Sequence, residues 1–240
     1  MKYLGSKRRI AKDILPIILE GMKEGDYFVD AFCGGCNLLD KVPDTFKRIA
    51  NDKNEYLIAM WKCLQQGNRF TEIISRDLYV KAREASKKGD LSNFTKAEIS
   101  WIGFMGSRVG RWFDGGYSGH EVKGRDYISE QIRNTLSQIP FLSDVDFRCG
   151  SYEEIVLPPA SKTTIYCDIP YKGVTQYATS RNFDYERFYG WCREQHAEGY
   201  RVFVSEYEMP DDFKCIWQKQ VTCTTNPTIT KKRIEKLFTL

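Results

Sequence analysis

The stretch Ile165-Tyr166-Cys167-Asp168-Ile169-Pro170-Tyr171 decides how the rest of the chain is read. Ile165 to Cys167 are apolar and strand-like. Pro170 has no amide hydrogen to give to a sheet ladder, so a buried strand is expected to stop at Asp168. A carboxylate and an aromatic ring are then left at the strand's carboxyl end, the edge at which open α/β sheets bind ligands. In isolation the stretch also reads as a capped turn with a surface tyrosine, which is the commoner fate of short motifs. Its partners elsewhere in the chain decide between the two.

Upstream, Tyr27-Phe28-Val29-Asp30-Ala31-Phe32 reads as a second buried strand, and Cys33-Gly34-Gly35-Cys36-Asn37 as the turn after it, with a helix expected to begin over Asn37 to Lys41. Strand, glycine turn and helix in that order form the first half of a nucleotide-type βα unit, in which small residues admit a ligand close to the backbone. Phe46 to Asn51 gives a short strand, followed by Asp52 and a helix over Glu55 to Leu64. A carboxylate there is placed to accept hydrogen bonds from ribose hydroxyls, and it equally suits a helix N-cap. Ile10 to Met22 has helical spacing with an irregularity at Pro16, so residues 1–9 form a basic lead-in.

From about Gln65 to Pro140 the strand-helix alternation gives way to a mainly helical stretch. Within it, residues 104–119 interleave Arg108 and Arg111 with Trp112, Phe113 and Tyr117 among five glycines. That mixture suits phosphate and base contacts, and it suits a packed lid over a small ligand as well. Strand character resumes at Val145 to Cys149, before Ser151-Tyr152, and again at Thr163 to Cys167. A loop over Lys172 to Asn182 leads to a helix over Phe183 to Ala197 with Asp184 as its cap. Arg201 to Ser205 is a further strand, and Cys215–Thr224 with Ile234–Leu240 reads as a terminal antiparallel pair. The sum is an α/β sheet of about seven strands with one insertion.

The 240 residues, 42% hydrophobic and 14% aromatic, are enough for a full core. A net charge of +4 is compatible with local phosphate contact and does not demand it. Residues 69–133 hold 12 Lys+Arg against 9 Asp+Glu, so most of the excess lies in the insertion. Eight cysteines without an amino-terminal apolar signal read as reduced thiols of a cytoplasmic protein. Cys33 and Cys36 have CxxC spacing, but no second pair follows and the histidines are His120 and His196 alone, so no metal site is expected. Nor does any apolar run reach the ~18 residues of a membrane span.

Several separated pieces now line up: Lys2-Tyr3-Leu4-Gly5-Ser6-Lys7, Phe28 to Gly35, Asn51-Asp52, Asp168 to Tyr171, and Lys231-Lys-Arg-Ile-Glu-Lys-Leu-Phe238. In this order they resemble the Dam-like DNA adenine methyltransferases over nearly the whole chain. The resemblance implies a Rossmann-like S-adenosylmethionine-dependent sheet with helices on both faces, formed by residues 1–64 and 141–240, and an inserted DNA target-recognition domain over 65–140. It places cofactor contacts on Tyr3, Lys7, Phe32, Gly34, Asp52, Tyr152 and Asp168, and the catalytic set on Asp168, Ile169, Pro170 and Tyr171. Double-stranded DNA is the implied partner, with Arg108, Arg111, Trp112, Lys123 and Arg125 as candidate contacts, in a monomer of bacterial or phage origin.

Two residues depart from the family pattern. Cys36 replaces the last glycine of Phe-x-Gly-x-Gly, where it is expected to crowd the cofactor's methionine end unless Gly35 absorbs the strain. Ile169 replaces the first proline of Asp-Pro-Pro-Tyr, where the backbone carbonyl is what counts. The alternatives are methylation of the cytosine exocyclic amine, or a silent protein that binds DNA or cofactor without catalysis.

Overall fold

The computed structural model describes residues 1–122, 124–172, 182–226 and 229–240, with 222–226 and 229–232 described by their backbone alone. Lys123 and residues 173–181 of the expected loop therefore lie outside the described residues. Seven strands form one mixed sheet: β1 (Tyr27–Asp30), β2 (Lys47–Asp52), β3 (Asp146–Cys149), β4 (Thr163–Asp168), β5 (Arg201–Glu206), β6 (Lys214–Asn226) and β7 (Ile229–Thr239). Their order is β3-β2-β1-β4-β5-β7-β6. The first five are parallel and β7 runs antiparallel between β5 and β6. This is the expected Rossmann-like sheet. The chain steps outward in one direction from β1 to β3 and in the other from β4 to β5, so the switch point lies between β1 and β4, where such sheets open a crevice at their carboxyl ends.

Alternation along the strands builds two cores. Phe28, Tyr166, Phe203 and Leu237 face α1 (Ala11–Leu19), α2 (Glu55–Gln65), α4 (Lys96–Gly106) and α5 (Tyr127–Leu136). Val29, Ile165, Cys167, Val202, Val204 and Phe238 face α6 (Tyr185–Ala197), which contributes Phe188, Tyr189, Trp191 and Cys192. Helices thus cover both faces, one more heavily than the other. Each fully buried large apolar side chain, such as Ile14, Leu57 or Phe188, adds about 2 kcal/mol by leaving water.

The helix expected from Asn37 to Lys41 is not formed. Leu39–Lys41 makes a single 3-10 turn and Val42 is already extended, because Pro43 can neither follow a helical residue comfortably nor donate to that turn. The chain drops straight from the glycine turn into β2. The basic lead-in is not solvated as a whole: Lys7 is 6% exposed. Pro16 is carried within α1. Asp184 caps α6 through the amide of Arg187, as expected.

The insertion comprises α3 (Arg76–Lys88), α4, α5 and the loops around them. Trp101, Ile102, Phe104 and Met105 of α4 join the same core as Trp61 of α2. Arg48 of β2 donates to the carbonyls of Val42 and Phe141 at 2.9 and 2.8 Å and pairs with Asp144, which ties the insertion's exit to the sheet. Among the described residues, no helix is long and apolar enough to cross a membrane.

Candidate active site

The site forms where β1 and β4 end side by side. Register pairs Asp30 with Tyr166 and Asp168 with Ser205, so Asp30 and Asp168 point to the same face of the sheet. After β1 the chain turns through Cys33–Cys36, closed by the Cys36 amide on the Cys33 carbonyl at 2.8 Å. The Gly34 amide donates to Asp52 Oδ2 at 2.9 Å, and the Asn54 amide to Asp52 Oδ1 at 2.8 Å. Burial raises the Asp52 carboxyl while these two amides hold it down. The cap of α2 is Asn54, so Asp52 braces the glycine turn instead of capping the helix.

The two glycines have a local reason. Tyr3 lies on the turn, and a Cβ at Gly34 would meet its ring at 2.7 Å, while one at Gly35 would meet its Cβ at 2.8 Å. Gly34 also has φ +46, a backbone that L side chains seldom adopt. The insertion holds Tyr3 in place: Gln131 of α5 exchanges two hydrogen bonds with the backbone of Lys2 at 3.0 and 2.9 Å, and Gly110 has no room for a side chain against the Lys2 carbonyl. Tyr3 also packs against Phe104 of α4 at 5.7 Å. Cys36, expected to crowd a cofactor, is instead fully buried in the main core, with a left-handed backbone at φ 52. Burial raises both the Cys33 and Cys36 thiols, which keeps them protonated.

Lys7 is the hinge of the acceptor side. Its Nζ lies 2.7 Å from Asp168 Oδ1 and 3.9 Å from Glu235 Oε2, donates to the Gly5 carbonyl at 2.9 Å, and stands 4.4 Å from the centre of the Tyr171 ring. Burial disfavours its charge, but Asp168 and Glu235 outweigh that and raise its pKa. Burial pushes Asp168 up to about 6, with Lys7 pulling down and Glu235 pushing up. Burial, reinforced by the charge of Asp168, raises Asp30 well above the ordinary range. Tyr171 donates its hydroxyl to Glu235 at 2.8 Å and meets the Tyr207 ring at 4.5 Å between centroids and 81° between planes. Ile169 is 3% exposed, and Tyr185 donates to the Pro170 carbonyl at 2.8 Å. Glu206 closes the rim: it accepts from the amides of Lys172 and Tyr207, and burial pushes it up to about 7.

On the other face, Phe32 packs on Tyr152 at 5.5 Å, with Phe183 and Phe188 beside them. A cleft of about 270 Å³ opens next to this group, lined by Asn51, Arg148, Gly150 and Ile155 among others. Tyr3, Lys7, Gly34 and Asp168 thus gather around the ends of β1 and β4, with Asp52 and the Phe32–Tyr152 pair beside them. The candidate DNA residues behave differently. Arg108 is exposed and Arg111 half-buried. Arg125 pairs with Glu130 at 2.5 Å and lies over Tyr127. Trp112 packs among Tyr56, Phe104 and Phe113, with its indole nitrogen buried and unpartnered. The sequence reading assigned no role to Glu235, Glu206, Asp30 or Gln131. Glu235 had one faint signal, an acid two residues before the core residue Leu237, hence on the same face of β7. Among the described residues, no group of three His, Cys, Asp or Glu is placed to hold a metal ion.

Residues 3–100 match the family described as D12 class N6 adenine-specific DNA methyltransferase. No curated protein matches the chain. Among solved structures the chain is similar to a precorrin 8W decarboxylase from Methanobacterium thermoautotrophicum, at 10% identity over 97% of this chain and 89% of that one, with TM-score 0.42. It is similar to a putative methylase from Haemophilus influenzae at 8% identity over 96% and 88%, TM-score 0.42. A putative methyltransferase complexed with SAH matches at 11% identity over 100% of this chain and 54% of that one, again with TM-score 0.42. Likenesses this slight carry no argument about function. The family match over residues 3–100 bears out the resemblance seen in the sequence and supports a methyltransferase.

Proposed function

We propose that the protein transfers the methyl group of S-adenosylmethionine to the exocyclic amine of adenine in double-stranded DNA. The observation that carries this reading is the 2.7 Å contact between Lys7, inside the matched residues 3–100, and Asp168, far outside them. It joins the amino-terminal part to the Asp-Ile-Pro-Tyr end of β4 at the switch point of the sheet.

The residues present suit the cofactor. Asp52 stands beside the cleft with carboxylate oxygens for ribose hydroxyls, and Phe32 with Tyr152 offers aromatic surface for a purine. The Asp168 carboxylate at the end of β4 favours a cation beside it. When bound, S-adenosylmethionine supplies an electrophilic methyl on a positively charged sulfur. Everything else falls to the protein. The adenine amine is a weak nucleophile because its lone pair is delocalised into the ring. Lys7 engages Oδ1 of Asp168, and the second carboxylate oxygen accepts one amine hydrogen while the Ile169 carbonyl accepts the other. Held so, the nitrogen turns its lone pair out of conjugation, and the carboxylate favours the positive charge that develops on it. Tyr171 stacks on a base that has left the duplex. Its ring is 7% exposed against Lys7 and Tyr207, so the base enters by displacing one of these neighbours.

In this reading residues 65–140 read the DNA. Support comes from Val109, a β-branched residue held at φ 59 and 57% exposed between Arg108 and Arg111; such strain persists where a contact uses it. The test is to incubate the protein with methyl-labelled S-adenosylmethionine and mixed-sequence duplex DNA, digest to nucleosides and identify the labelled base. Label on the adenine amine supports the reading. Label on cytosine, or cofactor binding with no labelled DNA, overturns it.

A further inference from the structure

Glu235 reaches the acceptor side from the opposite end of the sequence. It lies on β7, the antiparallel strand next to β5, and its side chain is 13% exposed. Glu235 Oε2 accepts the Tyr171 hydroxyl at 2.8 Å and stands 3.9 Å from Lys7 Nζ. Lys7 in turn is 2.7 Å from Asp168 and 4.4 Å from the Tyr171 ring centre. One cation is therefore shared by two carboxylates, and the aromatic ring is held at its hydroxyl by one of them and at its face by the cation.

We infer that Glu235 is a positioning residue of the acceptor site, which fixes the Tyr171 ring through its hydroxyl and shares Lys7 with Asp168. A tyrosine that stacks on an extruded base has to present one ring orientation, and a phenol bonded at its tip loses the freedom to swing. The shared lysine acts on Asp168 as well. With two acids drawing on one ammonium, Asp168 receives less than the whole of the cation's effect, in keeping with Glu235 pushing the Asp168 carboxyl up. The titratable groups facing Asp168 are Lys7 from the amino-terminal segment, Asp30 from β1, Tyr166 from β4 itself, Tyr171 just beyond it, Glu206 from β5 and Glu235 from β7. A change at Glu235 alone leaves the other five in place.

The inference rests on the methyl-transfer reading, and its test separates the two. Glu235→Gln keeps an acceptor for the Tyr171 hydroxyl and removes the charge. Glu235→Ala removes both, and Tyr171→Phe removes the hydroxyl alone. Glu235→Ala is expected to lower kcat roughly tenfold with little change in KM for the cofactor, the size of one lost hydrogen bond to a charged group. Adding Tyr171→Phe to Glu235→Ala then costs nothing further, because both remove the same interaction. Glu235→Gln keeps kcat within about threefold and moves the acid limb of the rate profile down by about half a pH unit, since a like charge beside Asp168 is gone. Additive losses in the double variant, or an acid limb unmoved in Glu235→Gln, overturn the inference. If the wild-type protein transfers no methyl to DNA, the functional reading fails by itself. The Asp168 midpoint, followed by carboxyl carbon NMR, still judges the shared lysine: a fall in Glu235→Gln supports it and an unchanged midpoint overturns it.

Discussion

β1 and β4 are parallel neighbours that each end in an aspartate on the same face of the sheet, and the two acids meet different fates. Asp30 is 3% exposed and accepts the Phe32 amide at 3.3 Å; among the described residues it forms no ion pair. Burial, with the charge of Asp168, pushes its carboxyl well above the ordinary range. Asp168 has a side chain 22% exposed and Lys7 at 2.7 Å, and its carboxyl is held to about 6. At neutral pH this second acid is mostly ionised. One lysine, delivered from nearly the start of the chain, pairs with the acid at one of two equivalent strand ends and sets it apart from the other. Position at the sheet edge gives an acid its place, and its partners give it its charge state.

The sharpest way to break this comparison is to exchange the acids for neutral residues. Asp168→Ala is expected to lower methyl transfer by about a thousandfold or more, since it removes an acceptor used in the transition state. Asp30→Asn, which keeps an oxygen to accept the Phe32 amide, is expected to stay within about threefold. Equal losses in a single-turnover assay would end the distinction. Next in size is Lys7→Met. It strands two carboxylates in a poorly solvated site, so a stability loss on the order of 3 kcal/mol is expected in urea unfolding. The acid limb of the activity profile should also rise above its wild-type position.

In the wild-type protein that limb should have its midpoint near 6, where Asp168 takes up its proton. Stability runs the other way. The folded protein holds this proton below about 6, and the unfolded chain only below the ordinary 3.8. Acidification between those values therefore stabilises the fold through this group while activity disappears. A rate profile flat from pH 8 to 5 would contradict the assignment. Gly34→Ala brings a Cβ to 2.7 Å from the Tyr3 ring at φ +46 and is expected to cost about 1 to 2 kcal/mol in thermal unfolding. Smallest is Arg108→Ala. If its exposed guanidinium meets a phosphate, DNA affinity falls for all sequences and the salt slope drops by about 1; an unchanged slope would remove Arg108 from the interface.

Much of the fold was legible because it rests on local signals. Apolar runs gave the strands, and Asp184 announced α6. The missing helix after the glycine turn shows the limit: Leu38 and Leu39 have the pattern, but Pro43 leaves too few residues for a hydrogen-bonded turn to propagate. In the candidate site, Asp168, Asp52 and Gly34 stand out in short motifs, and Lys7 through the family resemblance. Glu235 was hidden because its role arises only when β7 inserts beside β5, a pairing across long sequence separation. Trp112 was read as a possible base contact because it sits among arginines and glycines. Its packing against Tyr56 and Phe104 depends on α2 and α4 meeting, which no local window records.

The central claim is that Lys7 singles out the carboxyl ending β4 from the one ending β1. Carboxyl carbon NMR of aspartate-labelled protein, with Asp30→Asn and Asp168→Asn used for assignment, measures both directly. The account predicts that Asp168 titrates near 6, and that its midpoint climbs more than that of Asp30 when Lys7 is replaced by methionine. An Asp168 midpoint unmoved in Lys7→Met, or moved less than that of Asp30, would contradict it.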